Sequence, residues 1–391
     1  MTTIYLIRHA EAEGNLYRRI QGHWNGQITP RGREQIDALA ERFRDVPLDA
    51  VYSSDLQRTR DTADAILRTH PALTLQTTPR LREVALGVWE GRPWGDVEYE
   101  APEQMQYFNH DPARWHVEGC EPFSATQTRM REVLAELAAR HAGGAVAAVS
   151  HGMAIRCYLA SVLGFQSAEI DRLPHGDNTA VACIRYENGV PAVEFYNDAS
   201  HLPEALSTFG RQTWWKNQGA DMGNLRFEPV SFPRDSAFYD ACYADAWTTA
   251  HGSAAGYSPR PYLKNAKQHA KTPHAVVKVL SGDEVVGLID LDPEHGRKAG
   301  YGWISFFYLR PQYRGKGWGA QLLGHALWFC EKNGRDRLRL YVAEDNVRAR
   351  GFYEHFGFRK IGETPGVRGT LFEMEKTVIE RGAGVVAPYD R

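Results

Sequence analysis

The chain opens with an apolar run at residues 4–7, cut off by Arg8-His9. From there short apolar runs alternate with longer stretches of helical spacing. The opening run predicts a strand. Thr29 followed by Pro30 predicts a helix start, and Ile36, Leu39, Ala40 and Phe43 then recur on one face. A second strand is expected at residues 48–52, with Asp55 placed to cap a helix over residues 56–68. Met130, Val133, Leu134 and Leu137 mark a later helix, residues 145–149 a short buried strand and residues 153–163 another helix. Such alternation predicts a mostly parallel sheet covered by helices on both faces. Two further runs, 181–186 and 192–196, flank Glu187-Asn188-Gly189 and read as a closing hairpin.

Between residues 207 and 223 the pattern breaks. Trp214-Trp215-Lys216-Asn217-Gln218-Gly219 has no period, and its tryptophans suggest a linker packed on a domain rather than a free tether. This places one domain over residues 1–209, a linker over 210–224 and a second domain over 225–380. The second domain begins with an α-rich region at 235–270. A hairpin follows (274–280 and 285–291 around Ser281-Gly282-Asp283), then a strand at 301–309 and a Gly-rich turn. The next helix carries Leu322, Leu323, Ala326, Leu327 and Cys330 and stops at Asn333-Gly334. A strand at 338–342, a helix at 347–356 and a last strand at 370–374 complete the pattern.

A length of 391 residues suits two or three domains. Hydrophobic residues make up 43% and charged residues 24%, which excludes a largely disordered or collagen-like chain. The net charge of −2 gives no support for a nucleic-acid or anionic-membrane partner. No apolar run approaches the roughly 18 residues of a membrane helix. The amino terminus lacks a basic stretch and reads as a strand rather than a signal peptide. Five widely spaced cysteines, with no Cys-x-x-Cys pair, suggest reduced thiols in a cytoplasmic protein.

The first chemical constellation is directed at phosphate. Arg8-His9 and Ser150-His151-Gly152 each follow an apolar strand directly, and Arg58 lies in the first turn of the helix after the second strand. In an open parallel sheet, ligands bind at the carboxyl ends of strands, and helix amino termini favour anions. The topology thus delivers two histidines and two arginines to one sheet edge. A neutral imidazole can attack phosphorus, while arginine forks hold the equatorial oxygens. Taken singly, an Arg-His pair, a Ser-His-Gly triplet or Glu83 carries little signal; their order and spacing carry it.

Leu6-Ile7-Arg8-His9-Ala10-Glu11 resembles the Arg-His-Gly motif of the histidine phosphatase superfamily, also called phosphoglycerate mutase-like. The likeness runs through about the first 205 residues. Asn15, Arg19, Gln21 and Gly22 are similar to its substrate-pocket pattern, and residues 53–63, from Ser53 to Ala63 around Arg58, to its second arginine motif. Arg82-Glu83, with Gly87, Trp89, Glu90 and Gly91, resembles its acid segment, and Ser150-His151-Gly152 its second histidine motif. The resemblance implies a three-layer α/β/α fold. It makes His9 the phosphoryl-accepting nucleophile, Arg8, Arg58 and His151 the phosphoryl holders, and Glu83 the acid that later activates water, with no metal. Ala10 stands where the family commonly has Gly, and Asn25 where it often has Asp. His23, His110, His116 and His175 have no partner evident in the sequence and read as surface or core polar residues.

The second constellation is a pyrophosphate cradle. Arg314-Gly315-Lys316-Gly317-Trp318-Gly319 follows a strand and opens a helix, so backbone N–H groups and the helix dipole can meet an anion. It resembles the Arg/Gln-x-x-Gly-x-Gly/Ala element of the GCN5-related acetyltransferase (GNAT) family. Residues 308–313 before it also resemble that family, as do Asn346, Ala349, Phe352-Tyr353-Glu354 and Phe356-Gly357-Phe358 after it. The resemblance covers about residues 225–376 and implies a mixed-sheet α+β domain that binds acetyl-CoA as co-substrate. Backbone at Leu309 would take the pantetheine, the loop Arg314 to Gly319 the pyrophosphate, and Asn346 would lie near the cofactor arm. Tyr353 would protonate the leaving thiolate. Trp318 and Trp328 read as packing. Residues 303–308 lack the carboxylate that many relatives carry in this strand.

The expectation is a bifunctional enzyme acting on a phosphorylated small molecule and an amine. The alternatives are a phosphatase with a non-catalytic acetyl-CoA-sensing domain, or a mutase-type phosphotransferase.

Overall fold

The computed structural model describes residues 1–211, 223–367 and 369–378. The tryptophan-bearing stretch at 214–219 lies outside the described residues. The chain divides into two compact units, one over Met1–Gly223 and one beginning at Asn224.

In the first unit the apolar run becomes β1 (Thr2–Arg8). Helix α1 (Pro30–Phe43) starts as expected: Thr29 accepts a bond from the Gly32 N–H, and Pro30 fills the first turn. Next come β2 (Ala50–Ser53), α2 (Gln57–Thr69) and β3 (Leu75–Thr77). Helix α3 (Phe123–Arg140), β4 (Ala145–Ser150), α4 (Gly152–Leu163) and the hairpin β5 (Val181–Glu187) and β6 (Val190–Asp198) complete the sheet and its main covering helices, with shorter helices in the connections. The sheet order is β3-β2-β4-β1-β5-β6. Strands β1 to β4 are parallel, and β5 and β6 run antiparallel to their neighbours.

Side-chain alternation splits the core into two. Ile4, Leu6, Tyr52, Val146 and Ala148 pack with α3 and α4 on one face. Ile7, Val51, Ala147 and Val149 pack with Ile36, Leu39 and Phe43 of α1 and Ala63 and Ile66 of α2 on the other. The result is three layers, α/β/α. Two expectations are corrected. Strand β2 begins at Ala50, after Leu48. Asp55 does not cap α2: both its oxygens accept from Arg82, at 2.7 and 2.6 Å, and Leu56 takes the cap position. A bidentate guanidinium outcompetes a single N–H.

The second unit contains β7 (Arg226–Pro229), α5 (Ser236–His251), α6 (Pro259–His269), β8 (Val276–Ser281), β9 (Glu284–Asp292) and β10 (Tyr301–Leu309). These are followed by α7 (Gly319–Lys332), β11 (Arg337–Ala343), α8 (Val347–His355), β12 (Arg359–Gly366) and β13 (Gly369–Thr377). The mixed sheet runs β12-β13-β11-β10-β9-β8-β7, and among these neighbours only β10 and β11 are parallel. That pair is joined only over Tyr301–Ile304. A bulge follows between Ile304 and Phe306, and the rest of β10 pairs with β9 alone. The two parallel strands therefore part at mid-sheet.

All five cysteines are free. Among the described residues no helix is long and apolar enough to cross a membrane.

Candidate active sites

The sheet register builds the first site. Parallel pairing of β1 with β4 sets Arg8 opposite Ser150, so His9 and His151 leave adjacent strands one residue further on. Their ring centroids are 5.2 Å apart. Both rings are buried. His9 Nδ1 lies 2.7 Å from the Ala10 carbonyl. A carbonyl only accepts, so Nδ1 carries the proton and Nε2 keeps its lone pair.

Arg58 is fully buried and donates to the carbonyls of Trp24 and Gly22, at 2.9 and 2.7 Å. Arg8 donates to the Gly176 carbonyl. The Nε atoms of both arginines and the Nδ1 of His151 are buried without a protein partner. His151 Nε2 lies 3.0 Å from the Ser54 hydroxyl. Buried polar atoms normally find partners, and here two guanidinium Nε groups and an imidazole nitrogen without one belong to residues grouped at the ends of β1 and β4 and the start of α2.

Burial, then the charges of Arg58 and Arg8, hold His9 well below its usual range, and burial, then Arg58 and His9, do the same to His151. Burial lowers Arg58 to about 10, against the opposing carboxylates of Glu83 and Glu90.

Glu83 is fixed by backbone. Its Oε1 accepts from Val84 and Ala154, at 2.9 and 2.8 Å, and its Oε2 from Met153 at 3.1 Å. It therefore caps α4 from another segment, at the helix end that begins beside His151. Asn15 Oδ1 accepts from the Ala12 N–H at 3.0 Å and lies 3.4 Å from Gln21 Nε2. Gly22 has φ of +48°, and a Cβ there would meet the Glu90 carboxylate at 2.5 Å. Only glycine fits while its carbonyl holds Arg58. Arg19 is buried rather than a surface charge, in a strand-like bridge to Pro93. Asn25 caps α2, accepting the Gln57 N–H at 2.8 Å.

Several contributors were missed. His23 is not a bystander: its Nε2 donates to the Glu83 carbonyl at 2.9 Å. Arg129 donates to the carbonyls of Arg80, Arg82 and Glu83 while paired with Glu121 at 2.7 Å, which pins the acid-bearing turn. His175 accepts from Arg156 at 3.0 Å. His110 pairs with Asp171 at the surface, and His116 is exposed near Cys120. Only the Arg82-Glu83 pair hinted at this turn; its long-range clamps left no sequence signal.

The second site lies where β10 and β11 part. Gly315 and Gly317 have φ of +82° and +79°, and Gly319 opens α7 where a Cβ would meet the Phe352 ring at 2.8 Å. Backbone N–H groups at a helix start with no Cβ in the way suit a pyrophosphate. Lys316 lies over the stacked rings of Tyr313 and Trp318, as rim packing. Trp328 packs against His274 and His325. Arg314 Nε donates to the Leu309 carbonyl at 2.8 Å. Asn346 caps α8, accepting from Ala349 at 3.1 Å. Tyr353 is packed among Phe307, Phe352 and Phe358, and burial raises its pKa, so it stays a neutral O–H donor.

A buried carboxylate faces the bulge from β9. Asp290 pairs across the sheet with Phe306, but it accepts from Tyr239 at 2.7 Å and from His269 at 2.6 Å, so it is not a free base. Among the described residues no group of three or more His, Cys, Asp or Glu is placed to hold a metal ion.

A family model described as "Histidine phosphatase superfamily (branch 1)" matches residues 4–199, and one described as "Acetyltransferase (GNAT) family" matches residues 239–358. The "Probable phosphoglycerate mutase GpmB" of Yersinia pestis (strain Pestoides F) is 31% identical over 207 residues, 52% of this chain and 95% of its own. The solved structure of Bacillus stearothermophilus YhfR is similar with a TM-score of 0.50 at 30% identity, over 51% of this chain and 99% of its own.

Proposed function

The chain belongs to the histidine phosphatase superfamily and carries a GNAT acetyltransferase domain C-terminal to it, and from that we propose a bifunctional enzyme. One half hydrolyses phosphomonoesters through a phosphohistidine at His9, without a metal. The other transfers acetyl from acetyl-CoA to an amine.

The observation that carries the first half is the bond from His9 Nδ1 to the Ala10 carbonyl, which leaves Nε2 free inside a cationic enclosure. Nε2 attacks phosphorus, and a P–N bond forms as the ester P–O bond breaks. Glu83 gives its proton to the departing oxygen. Arg8, Arg58 and His151 hold the equatorial oxygens as charge develops on them. Water then attacks the phosphohistidine, Glu83 takes the proton back, and the P–N bond breaks to restore His9. Asn15, Arg19, Gln21 and Gly22 wall the pocket around a phosphorylated small molecule.

In the second half acetyl-CoA supplies an activated thioester. The backbone from Arg314 to Gly319 would take its pyrophosphate, with Leu309 and Asn346 along the arm. As the amine forms its C–N bond and the C–S bond breaks, Tyr353 would protonate the thiolate and the nitrogen would release its proton to water. Five free thiols fit a cytoplasmic protein. The charge balance favours neither a nucleic-acid nor a membrane partner.

The test is a phosphomonoester library with His9→Ala as control, followed by a rapid quench. An acid-labile, base-resistant adduct at His9 is expected; turnover with no adduct overturns the reading. The name of the Yersinia relative favours a mutase-type phosphotransferase as a second reading, and mutase turnover exceeding hydrolysis would establish it. The locked Asp290 favours an acetyl-CoA sensor, for which binding would occur with no transfer across an amine panel.

A further inference from the structure

The family match ends at residue 199, yet the next residues turn back onto the phosphate site. Leu206 and Thr208 are gripped by Gln35, whose Nε2 donates to the Leu206 carbonyl at 2.8 Å and to Thr208 Oγ1 at 3.0 Å. Thr208 Oγ1 in turn donates to Glu11 at 3.3 Å, and the Glu11 N–H donates to Gln35 Oε1 at 2.7 Å. Ser207 Oγ donates to one oxygen of Asp177 at 2.5 Å, and the Thr208 N–H to the other at 3.1 Å. Gln35, Glu11, Asp177 and Thr208 are all buried.

These anchors lie on both sides of the nucleophile. Glu11 is two residues beyond His9. Asp177 adjoins Asn178, which donates to the His9 carbonyl at 2.9 Å, and Thr179, whose N–H donates to the Arg8 carbonyl at 3.1 Å. The Phe209 ring then lies 5.7 Å from the Arg8 guanidinium carbon.

We infer that residues 206–209 are a positioning strap for the phosphate site. The inference rests on the phosphatase reading above. The strap does two things. It fixes the main chain that carries Arg8 and His9 by clamping its neighbours. It also occupies both oxygens of Asp177, a carboxylate whose field acts on Arg8. Held by Ser207 and Thr208, that carboxylate is kept from competing with a phosphate for the guanidinium, while Phe209 offers Arg8 an uncharged aromatic face.

The experiment uses the full chain. Phe209→Leu removes the ring face, and Thr208→Val removes the hydroxyl while keeping the shape. Phe209→Tyr and Thr208→Ser are the conservative partners. Each is measured for kcat and KM separately, and for its affinity for inorganic phosphate. Losing one cation–π or buried hydrogen-bond contact predicts that Phe209→Leu and Thr208→Val weaken phosphate affinity and kcat/KM by about 3- to 30-fold. The two conservative variants test rescue: one keeps an aromatic face and the other a hydroxyl, and both should stay within about twofold of wild type. Coenzyme A binding by the same chain should not change.

Wild-type phosphate affinity in both Phe209→Leu and Thr208→Val would overturn the inference, as would equal losses in the conservative variants. A wild type that binds phosphate but hydrolyses no ester would sink the proposed reaction, while the affinity series would still decide the strap. A wild type that neither binds nor hydrolyses would overturn both.

Discussion

Burial and the charge of Arg58 hold both His9 and His151 of the first unit well below the usual imidazole range, with Arg8 adding to the effect on His9, so both rings stay neutral. His269 in the second unit lies between Asp290 and Asp292, at 2.6 and 3.2 Å. Burial pushes its ring down, but the two carboxylates outweigh it and raise the group to about 9. Three buried imidazoles thus take two different charge states within one chain. A neutral ring with a free lone pair is equipped for chemistry. A charged ring between two carboxylates, one of them also bonded to Tyr239, joins β9 to α5 and α6. Burial alone does not identify a functional histidine; the sign of its neighbours separates reagent from cement.

Exchange of the reagent should have the largest effect. His9→Ala should lower phosphatase turnover by about ten-thousandfold or more, with coenzyme A binding unchanged, as assayed on one preparation. Parallel loss of both would break the contrast. Removal of the cement should act on stability instead. His269→Ala leaves Asp290 buried without its cation and should cost the second unit about 3–5 kcal/mol, read as a fall in its own melting transition.

The two environments also differ in their response to pH. The first unit excludes protons that its unfolded state accepts below about pH 6.5, so it should lose stability as pH falls below that value. The His269 contribution is fully present below about pH 6.5 and should be lost as pH rises through about 9. Melting scans from pH 5 to 10 that shift both units in one direction would contradict the charge assignment.

A smaller change is expected from Tyr353→Phe. Loss of the proton donor should slow acetyl transfer about a hundredfold with unchanged coenzyme A affinity. Smallest is Asn25→Ala, which strips the side-chain cap from α2 and should cost about 1 kcal/mol by denaturant titration. A greater loss of activity than of stability would show that Asn25 also orients Arg58.

Arg8, His9, Arg58 and His151 of the proposed phosphate site were placed from the sequence because each sits at a strand end or a helix start, where local spacing encodes position, whereas Glu83 came only through the family resemblance. Arg8, Arg58 and His151 needed only that rule. The clamps were not legible. Arg129 reaches the Glu83 turn across 46 residues, and Gln35 reaches Thr208 across 173, distances at which no period connects them. Asp55 looked like a helix cap because the cap preference is local, whereas its actual partner, Arg82, is not. Strand β3 is three residues long, and β12 is an edge strand containing Pro365, so neither shows the alternation that marked β1 and β4. In the second unit, the glycine loop showed in the local spacing and Tyr353 only through the family resemblance, while the separation of β10 from β11 depends on a bulge that a single sequence does not display.

The pairing of Arg8 with Ser150 has a consequence for heat inactivation. The spacing between the two imidazoles is set by consecutive rungs of a central ladder, not by a loop that could loosen first. Warming should therefore preserve that spacing until the sheet itself gives way. A folded stage that has lost the proposed hydrolysis would then trace to the Glu83 turn or to residues 206–209, not to the imidazole pair.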